Sequence, residues 1–380
     1  MSRIAYLSDS LIPSQRANSV HVMHMCNAFQ ELGHHVTLFG LGKKNQDLDQ
    51  VRSWYGVNGF SLDLTTTRIP KLTLYWHARR MLSKIKKQKP DFVFGRSLYG
   101  CALVASKGYD VIYETHDPVR VMSEKQKRAF FKLLESGNLK GLVVLSDALK
   151  TILIDEVPKL SPERILVAHD GATIRDYDLS ELASYKWPLT SEDRLQVGYL
   201  GTISPGRGIE MVVSLAKENP HLDFHIVGGY KEDLTHLNIA LESISENLFF
   251  HGFVSPREAA MARKKCDILL APYQDNVTIR SGKNTAEYMS PLKIFEYMEA
   301  EKPIICSDLK VLREVLENDK NCILVSASRK EEWQEALDRL VNDSKLRANL
   351  AHRAKGDLVT KYSWKHRAQT ILKFNELRNI

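Results

Sequence analysis

Ile4-Ala5-Tyr6-Leu7-Ser8, then Val20 to Leu32, then Gly33 and Val36-Thr37-Leu38-Phe39, form the stretch that decides the fold. The outer segments are apolar runs of strand length. Between them Val22, Met25, Cys26 and Phe29 recur at helical spacing on one face. Gly33 stands where a helix ends. Strand, helix and strand within about forty residues is the repeating unit of a doubly wound parallel sheet.

The same rhythm continues outward, with strands predicted at Phe92-Val93-Phe94, Val111-Ile112-Tyr113, Leu142 to Leu145 and Ile165-Leu166-Val167. It then restarts. Gln196 to Leu200 is followed by a Gly-containing turn, a helix over Ile209 to Lys217, and a strand over Asp223 to Val227 ending in Gly228-Gly229. Further strands are predicted at Leu248-Phe249-Phe250, Ile268-Leu269-Leu270, Pro303-Ile304-Ile305 and Cys322-Ile323-Leu324. The reading is an α/β chain of two doubly wound parallel-sheet domains, residues 1–185 and 190–363. The polar stretch Ser184 to Arg194 serves as the linker. The last helix, Trp364 to Arg378 within 364–380, has no following strand and is expected to pack back on the first domain. Ligands of such sheets lie beyond the carboxyl ends of the strands, so two facing sheets imply a site in the cleft between them.

A length of 380 residues fits two domains. The five cysteines are far apart, odd in number and free of zinc spacing, and read as buried thiols of a reducing cytoplasm. The N-terminus has no signal-peptide run, and nowhere are eighteen apolar residues consecutive. The net charge of +7 is concentrated: residues 61–140 hold 16 Lys/Arg against 7 Asp/Glu. Lys71 to Lys89 reads as an amphipathic helix, with Leu74, Tyr75, Ala78, Met81, Leu82 and Ile85 apolar and Arg79, Arg80, Lys84, Lys86, Lys87 and Lys89 basic. Glu124 to Leu134 adds four bases around Phe130-Phe131. No groove-reading motif accompanies them, which argues against nucleic acid. The functional reading is an anionic membrane surface; the plain one is a solvated helix face.

Gly201-Thr202-Ile203-Ser204-Pro205-Gly206-Arg207-Gly208 follows a strand and precedes a helix. It has the glycine spacing of a Walker loop, but Arg207 replaces the lysine and Gly208 the magnesium-binding hydroxyl. What survives is anion binding, with Arg207 at a helix N-terminus. No Gly-x-Gly-x-x-Gly follows the first strand, which argues against a dehydrogenase. Asp47-Leu48-Asp49 and Asp176-Tyr177-Asp178 have a metal-binding spacing but sit in loop-like sequence, and no metal is assigned to them. His116 is singled out by its place at a strand end, where it could orient a hydroxyl, tuned by a nearby carboxylate. His21 and His24 read as flanking packing positions. In the segment from Met289 to Lys310, Ser290-Pro291 opens a helix and Glu296 interrupts its apolar pattern. Amides at such an N-terminus suit phosphates, and the carboxylate suits ribose hydroxyls.

Together these residues resemble the GT-B glycosyltransferases, specifically the retaining family 4 enzymes of bacterial polysaccharide and lipid-linked glycan assembly. The likeness is carried by Ser19-Val20-His21-Val22, Glu31 to Val36, Glu114 to Asp117, Leu145 to Lys150, Tyr199-Leu200-Gly201 with Arg207-Gly208, Ile226-Val227-Gly228, Gly252-Phe253-Val254, Ser290 to Asp308 and Tyr362-Ser363-Trp364. It implies two Rossmann-like domains, a UDP- or GDP-linked sugar donor on the C-terminal one, an acceptor on the N-terminal one, and neither metal nor other cofactor. Gly201, Arg207, Gly228, Phe253, Val254, Ser290, Leu292, Lys293 and Glu296 would bind the donor. Arg207 would neutralise the departing diphosphate, Lys293 would add a cation, and Glu296 would hold the ribose. Phe253 and Val254 would meet the base through backbone groups, and His116 would stand near the transferred sugar.

Three departures from the family pattern bear on these roles. The first glutamate of the family's pair falls at Tyr288, beside Glu287. The N-terminal Gly pair is represented by Ala17-Asn18, ahead of Ser19, in the acceptor-side phosphate loop. An Arg often found after the phosphate-loop Gly is Thr202. The resulting expectation is a cytoplasmic glycosyltransferase of cell-envelope or exopolysaccharide biosynthesis, peripheral on the inner face of the plasma membrane. Its acceptor is a glycan or lipid-linked. The alternatives are a nucleotide-sugar epimerase of the same fold and a non-catalytic sugar-nucleotide or glycan-binding subunit.

Overall fold

In the computed structural model the opening stretch folds as β1 (Arg3–Ile12), α1 (Ala17–Glu31) and β2 (His35–Gly42). The structure describes residues 1–66, 73–237, 239–240, 244–278 and 282–378. Ile4 to Leu7 are buried without alternation, as a central parallel strand requires. Next come α2 (Leu48–Tyr55), β3 (Ser61–Thr65), α3 (Thr73–Gln88), β4 (Phe92–Gly95), α4 (Leu98–Ala105), β5 (Val111–Glu114), α5 (Glu124–Leu134), β6 (Leu139–Val144), α6 (Asp147–Glu156) and β7 (Ile165–Val167). The sheet order is β3-β2-β1-β4-β5-β6-β7, with parallel ladders throughout. Strand order reverses beside β1. Edge strand β3, Ser-Leu-Asp-Leu-Thr, is absent from the sequence reading because its alternation is short and half polar.

The second sheet uses β8 (Gln196–Leu200), β9 (Asp223–Val227), β10 (Leu248–Gly252), β11 (Ile268–Ala271), β12 (Ile304–Ser307) and β13 (Ile323–Val325) in the order β10-β9-β8-β11-β12-β13. Its helices are α7 (Leu179–Ser184), α8 (Ile209–Glu218), α9 (Pro256–Lys265), α10 (Leu292–Ala300), α11 (Lys330–Asn342) and α12 (Ser344–Asp357). Leu215, Phe224, Ile226, Ile268, Ile305 and Trp333 share one buried cluster.

The chain divides into Met1–Asp170 with Trp364–Ile380, and Gly171–Ser363. The boundary therefore falls at Asp170 rather than at 185. The stretch Ser184 to Arg194 is not a free linker. Trp187 packs its ring on His225 and His251, with centroids 4.1 and 4.5 Å away, and the Thr190 N–H donates to Asp223 Oδ2 at 2.8 Å. Stacking of the indole on these rings fixes this stretch to the second unit. The final helix, α13 (Trp364–Arg378), belongs to the first unit and lies over β6 at Gly141. A β-carbon at Gly141 would meet Phe374 Cε1 at 2.3 Å. All five cysteines are free and buried. Among the described residues, no helix is long and apolar enough to cross a membrane.

Candidate active site

In the second unit the strand order reverses beside β8, whose carboxyl end runs into Gly201 and the loop to α8. Gly206 and Gly208 have φ of +81° and +72°. A β-carbon would lie 1.9 Å from Asn276 O at Gly206 and 1.7 Å from Pro272 O at Gly208. Only glycine fits this turn against the chain leaving β11. The Gln274 N–H clamps it by donating to Gly206 O at 3.0 Å. Arg207 is thereby carried at the head of α8, its guanidinium 5.5 Å from the Tyr273 ring centre.

Helix α10 brings the second cation. Its first turn has no side-chain cap, and its N-cap residue is Pro291, so Ser290 is not the capping residue. The N–H groups of Leu292 and Lys293 head the helix without the intrahelical acceptors that interior residues have. Tyr297 locks α10 to the sheet: its hydroxyl accepts from Leu200 N–H at 2.8 Å and donates to Leu270 O at 3.3 Å. Lys293 is only 8% exposed. Its Nζ lies 3.5 Å above the Tyr199 ring, with no hydrogen-bond partner among the described residues. A β-carbon at Gly201 would sit 3.0 Å from that Nζ. Burial, reinforced by the Arg207 guanidinium, drives the lysine well below its ordinary pKa.

Glu296 follows one turn along α10. It is one-third exposed and pairs with Arg263 Nη1 at 3.2 Å, a buried arginine of α9. Burial works against the charge on Arg263, but Glu296, Tyr177, Glu299 and Tyr297 together outweigh it and raise the pKa. Gly228 lies beside Gly201: a β-carbon there would be 2.9 Å from Gly201 O. Its N–H donates to Gly252 O at 2.8 Å, which sets Phe253 and Val254 at the next strand end. Gly201, Gly228, Phe253 and Val254 thus follow the carboxyl ends of β8, β9 and β10, Arg207 heads α8, and Leu292, Lys293 and Glu296 lie on α10, with Lys293 against Gly201. Tyr288 is buried and Glu287 exposed.

In the first unit His116 follows β5. Arg96 Nη2 donates to His116 Nδ1 at 2.9 Å, so Nε2 bears the hydrogen and donates to Glu114 Oε1 at 2.5 Å. Burial and then the Arg96 charge push this imidazole down to about 4, leaving it neutral at pH 7. Glu114, fully buried, also faces His21 Nε2 at 2.9 Å and accepts from Arg367 Nη2 of α13 at 2.9 Å. Burial opposes its charge, but Arg367, His21 and His116 together hold it well below the usual carboxylate range. His21 Nδ1 meets Asp170 Oδ1 at 2.7 Å, and Trp364 packs on both His21 and His24. His21 is therefore a buried polar link, and not a flank of packing positions. Arg96, Asp170 and Arg367 escaped the sequence reading, and Glu114 entered it only within the Glu114 to Asp117 stretch. Their one signal was a charge within an otherwise buried pattern, as at Arg367 beside Trp364, Ala368 and Ile371.

Ligand-type atoms of His21, Glu114 and His116 lie within 4.8 Å of one another. A cation placed among them would meet Arg367 already on Glu114 and Arg96 already on His116, so the donor set fits a metal poorly. Asp47 and Asp178 are helix N-caps, accepting from Asp49 N–H and Ser180 N–H at 2.8 Å each. At the head of α1, Ala17 is exposed and Asn18 Oδ1 is shielded with no hydrogen-bond partner among the described residues. The Ser19 side chain is committed internally: it donates to Arg16 O at 2.8 Å and accepts from the Tyr55 hydroxyl at 2.9 Å.

Helix α3 buries Ala78, Met81 and Ile85 but exposes Leu74, which the sequence reading put on the apolar face, and Trp76, which is 56% exposed. Lys71, where that helix was predicted to start, lies outside the described residues. Arg80 and Lys84 pair with Asp63 at 2.9 and 3.1 Å. Arg79, Lys86 and Lys87 are exposed.

Residues 19–174 match the family model Glycosyltransferase Family 4, and residues 184–357 match Glycosyl transferases group 1. The chain is similar to the alpha-galactosylglucosyldiacylglycerol synthase of Streptococcus pneumoniae, 26% identical over 49% of this chain and 46% of that one. It is also similar to the poly(ribitol-phosphate) alpha-N-acetylglucosaminyltransferase of Staphylococcus aureus, 21% identical over 67% and 48%. The chain spans about half the length of these curated relatives. The crystal structure of Anabaena HepE in complex with UDP-glucose shares the fold, with a TM-score of 0.74, 15% identity and full coverage of both chains. With a family 4 domain followed by a group 1 domain on two parallel α/β sheets, the chain belongs to the GT-B glycosyltransferases.

Proposed function

We propose that this chain is a retaining, metal-independent glycosyltransferase that moves a sugar from a UDP- or GDP-linked donor to a glycan or lipid-linked acceptor of the cell envelope. The carrying observation is the buried Lys293 Nζ, held by the Tyr199 ring but without a hydrogen-bond partner among the described residues, at the uncapped head of α10 beside Gly201. A buried ammonium without a hydrogen-bond acceptor is costly unless an anion completes it. A diphosphate does so. Arg207, Lys293 and the α10 amides stabilise the charge that develops on it as the glycosidic bond breaks. One such preorganised group is worth about 10²–10³ in kcat. Glu296, oriented by Arg263, accepts hydrogen bonds from the ribose hydroxyls. His116, neutral and held by Arg96 and Glu114, orients a substrate hydroxyl on the first unit, and the leaving phosphate takes the acceptor's proton.

The lipid and polyol-phosphate products named for the two curated relatives support an envelope acceptor. The basic face of α3, with Trp76 at its edge, supports a peripheral place on an anionic membrane at the cytoplasmic side. Transfer measured with a panel of nucleotide sugars in excess chelator tests the reading. Activity is expected in chelator, with Arg207→Ala lowering kcat; activity lost on chelation refutes metal independence. Release of free nucleotide without acceptor would favour the epimerase. Flotation with anionic vesicles tests the membrane surface: Arg79, Lys86 and Lys87 changed together to Ser should abolish binding, and unaltered binding refutes it.

A further inference from the structure

The ends of β8, β9 and β10 form a floor without side chains. Gly201 N–H donates to Val227 O and Gly228 N–H to Gly252 O, both at 2.8 Å, so three successive strands close on glycine. Two strand spacings make this floor about 10 Å wide. At the β8 end stands Lys293. At the β10 end stands Tyr230, which follows Gly228-Gly229.

Tyr230 is a large aromatic side chain left 52% exposed, yet it is held in place. Its N–H donates to Asp233 Oδ2 at 2.9 Å. Its ring meets Phe253 edge to face, with centroids 5.2 Å apart and planes at 62°. A β-carbon at Gly252 would lie 3.7 Å from its Cε1, so the ring rests against bare backbone. An oriented, exposed ring across a side-chain-free floor from a phosphate-seeking cation matches the layout of a nucleoside diphosphate.

We infer that Tyr230 is the base-stacking residue of the donor site, with Phe253 as its buttress. This rests on reading the second domain as the donor domain. Stacking on a tyrosine face is tolerant of base identity, so Tyr230 supplies affinity while backbone groups at Phe253 and Val254 select the base.

The test is calorimetric titration of the full chain, wild type, Tyr230→Ala and Tyr230→Phe, with UDP, GDP and inorganic pyrophosphate. Tyr230→Ala should weaken whichever nucleotide the wild type binds by about 5- to 150-fold and leave pyrophosphate unchanged. Tyr230→Phe should stay near wild type. Nucleotide binding unchanged in Tyr230→Ala overturns the assignment while leaving the donor-site reading intact. A parallel loss of pyrophosphate affinity also overturns it, because the residue would then be shaping the loop. A wild type that binds none of the three ligands overturns both the assignment and the donor-site reading.

Discussion

Lys293→Met should make the empty protein more stable while removing its hold on the donor. The ammonium is nearly buried, lacks a hydrogen-bond partner among the described residues and faces Arg207. A buried unsatisfied polar group costs about 1–3 kcal/mol, and methionine fills the same volume without that cost. For a domain of this size each kcal/mol moves Tm by about 2–4 °C. The pH dependence has a definite sign. With the folded-state pKa lowered, the unfolded chain binds the extra proton, so the penalty is full below the folded pKa and vanishes above about 10.5. The gain from Lys293→Met should therefore be large at pH 7 and shrink towards pH 10.5. Thermal unfolding with and without UDP, GDP and pyrophosphate measures both halves of the prediction. Wild type should gain Tm from at least one of these ligands, and the variant should not. A variant that melts lower when empty, or keeps the ligand-induced rise, refutes the reasoning.

Gly206→Ala should destabilise far more than Gly108→Ala. Both have positive φ, but a β-carbon at Gly206 strikes Asn276 O at 1.9 Å while that at Gly108 meets nothing within 4 Å. The control costs only about 1–2 kcal/mol, and urea unfolding reads the difference. Asp9, raised by burial from 3.8 to about 6, costs the fold about 3 kcal/mol once ionised. Asp9→Asn should thus stabilise at pH 8 and have little effect near pH 4, as denaturation at the two pH values will register. Arg263→Met should raise the donor KM more than it lowers kcat, since it frees Glu296 without touching the phosphates. Steady-state kinetics that show only a kcat loss contradict this role.

Most of the fold was legible because each central strand is a short continuous apolar run between amphipathic helices. Such runs must be buried on both faces, and their order dictates a parallel sheet. Strand β3 escaped because an edge strand need bury only part of its surface, and Leu62, Asp63 and Leu64 are only half-buried. The domain boundary was misplaced for a similar reason. Residues 171–194 look polar in one dimension, but Trp187 and Tyr177 dock on the second unit, Tyr177 donating to Glu299 Oε2 at 2.5 Å.

The residues at the carboxyl ends of the second sheet were readable as a string because glycines, an arginine and a helix start lie in a fixed local order around the strand ends. Backbone geometry there is a local property, and local order determines it. The Glu114 cluster was not readable. Its members come from positions 21, 96, 114, 116, 170 and 367, and only a buried carboxylate's need for partners brings them together. The sequence by itself thus determined two parallel sheets and the strand ends and helix start that carry Gly201, Arg207 and Lys293. Only the tertiary structure decided which charges are buried, which are paired, and that the Lys293 ammonium has no hydrogen-bond partner among the described residues. Burial and pairing depend on contacts between segments far apart in the chain, and no local pattern encodes them.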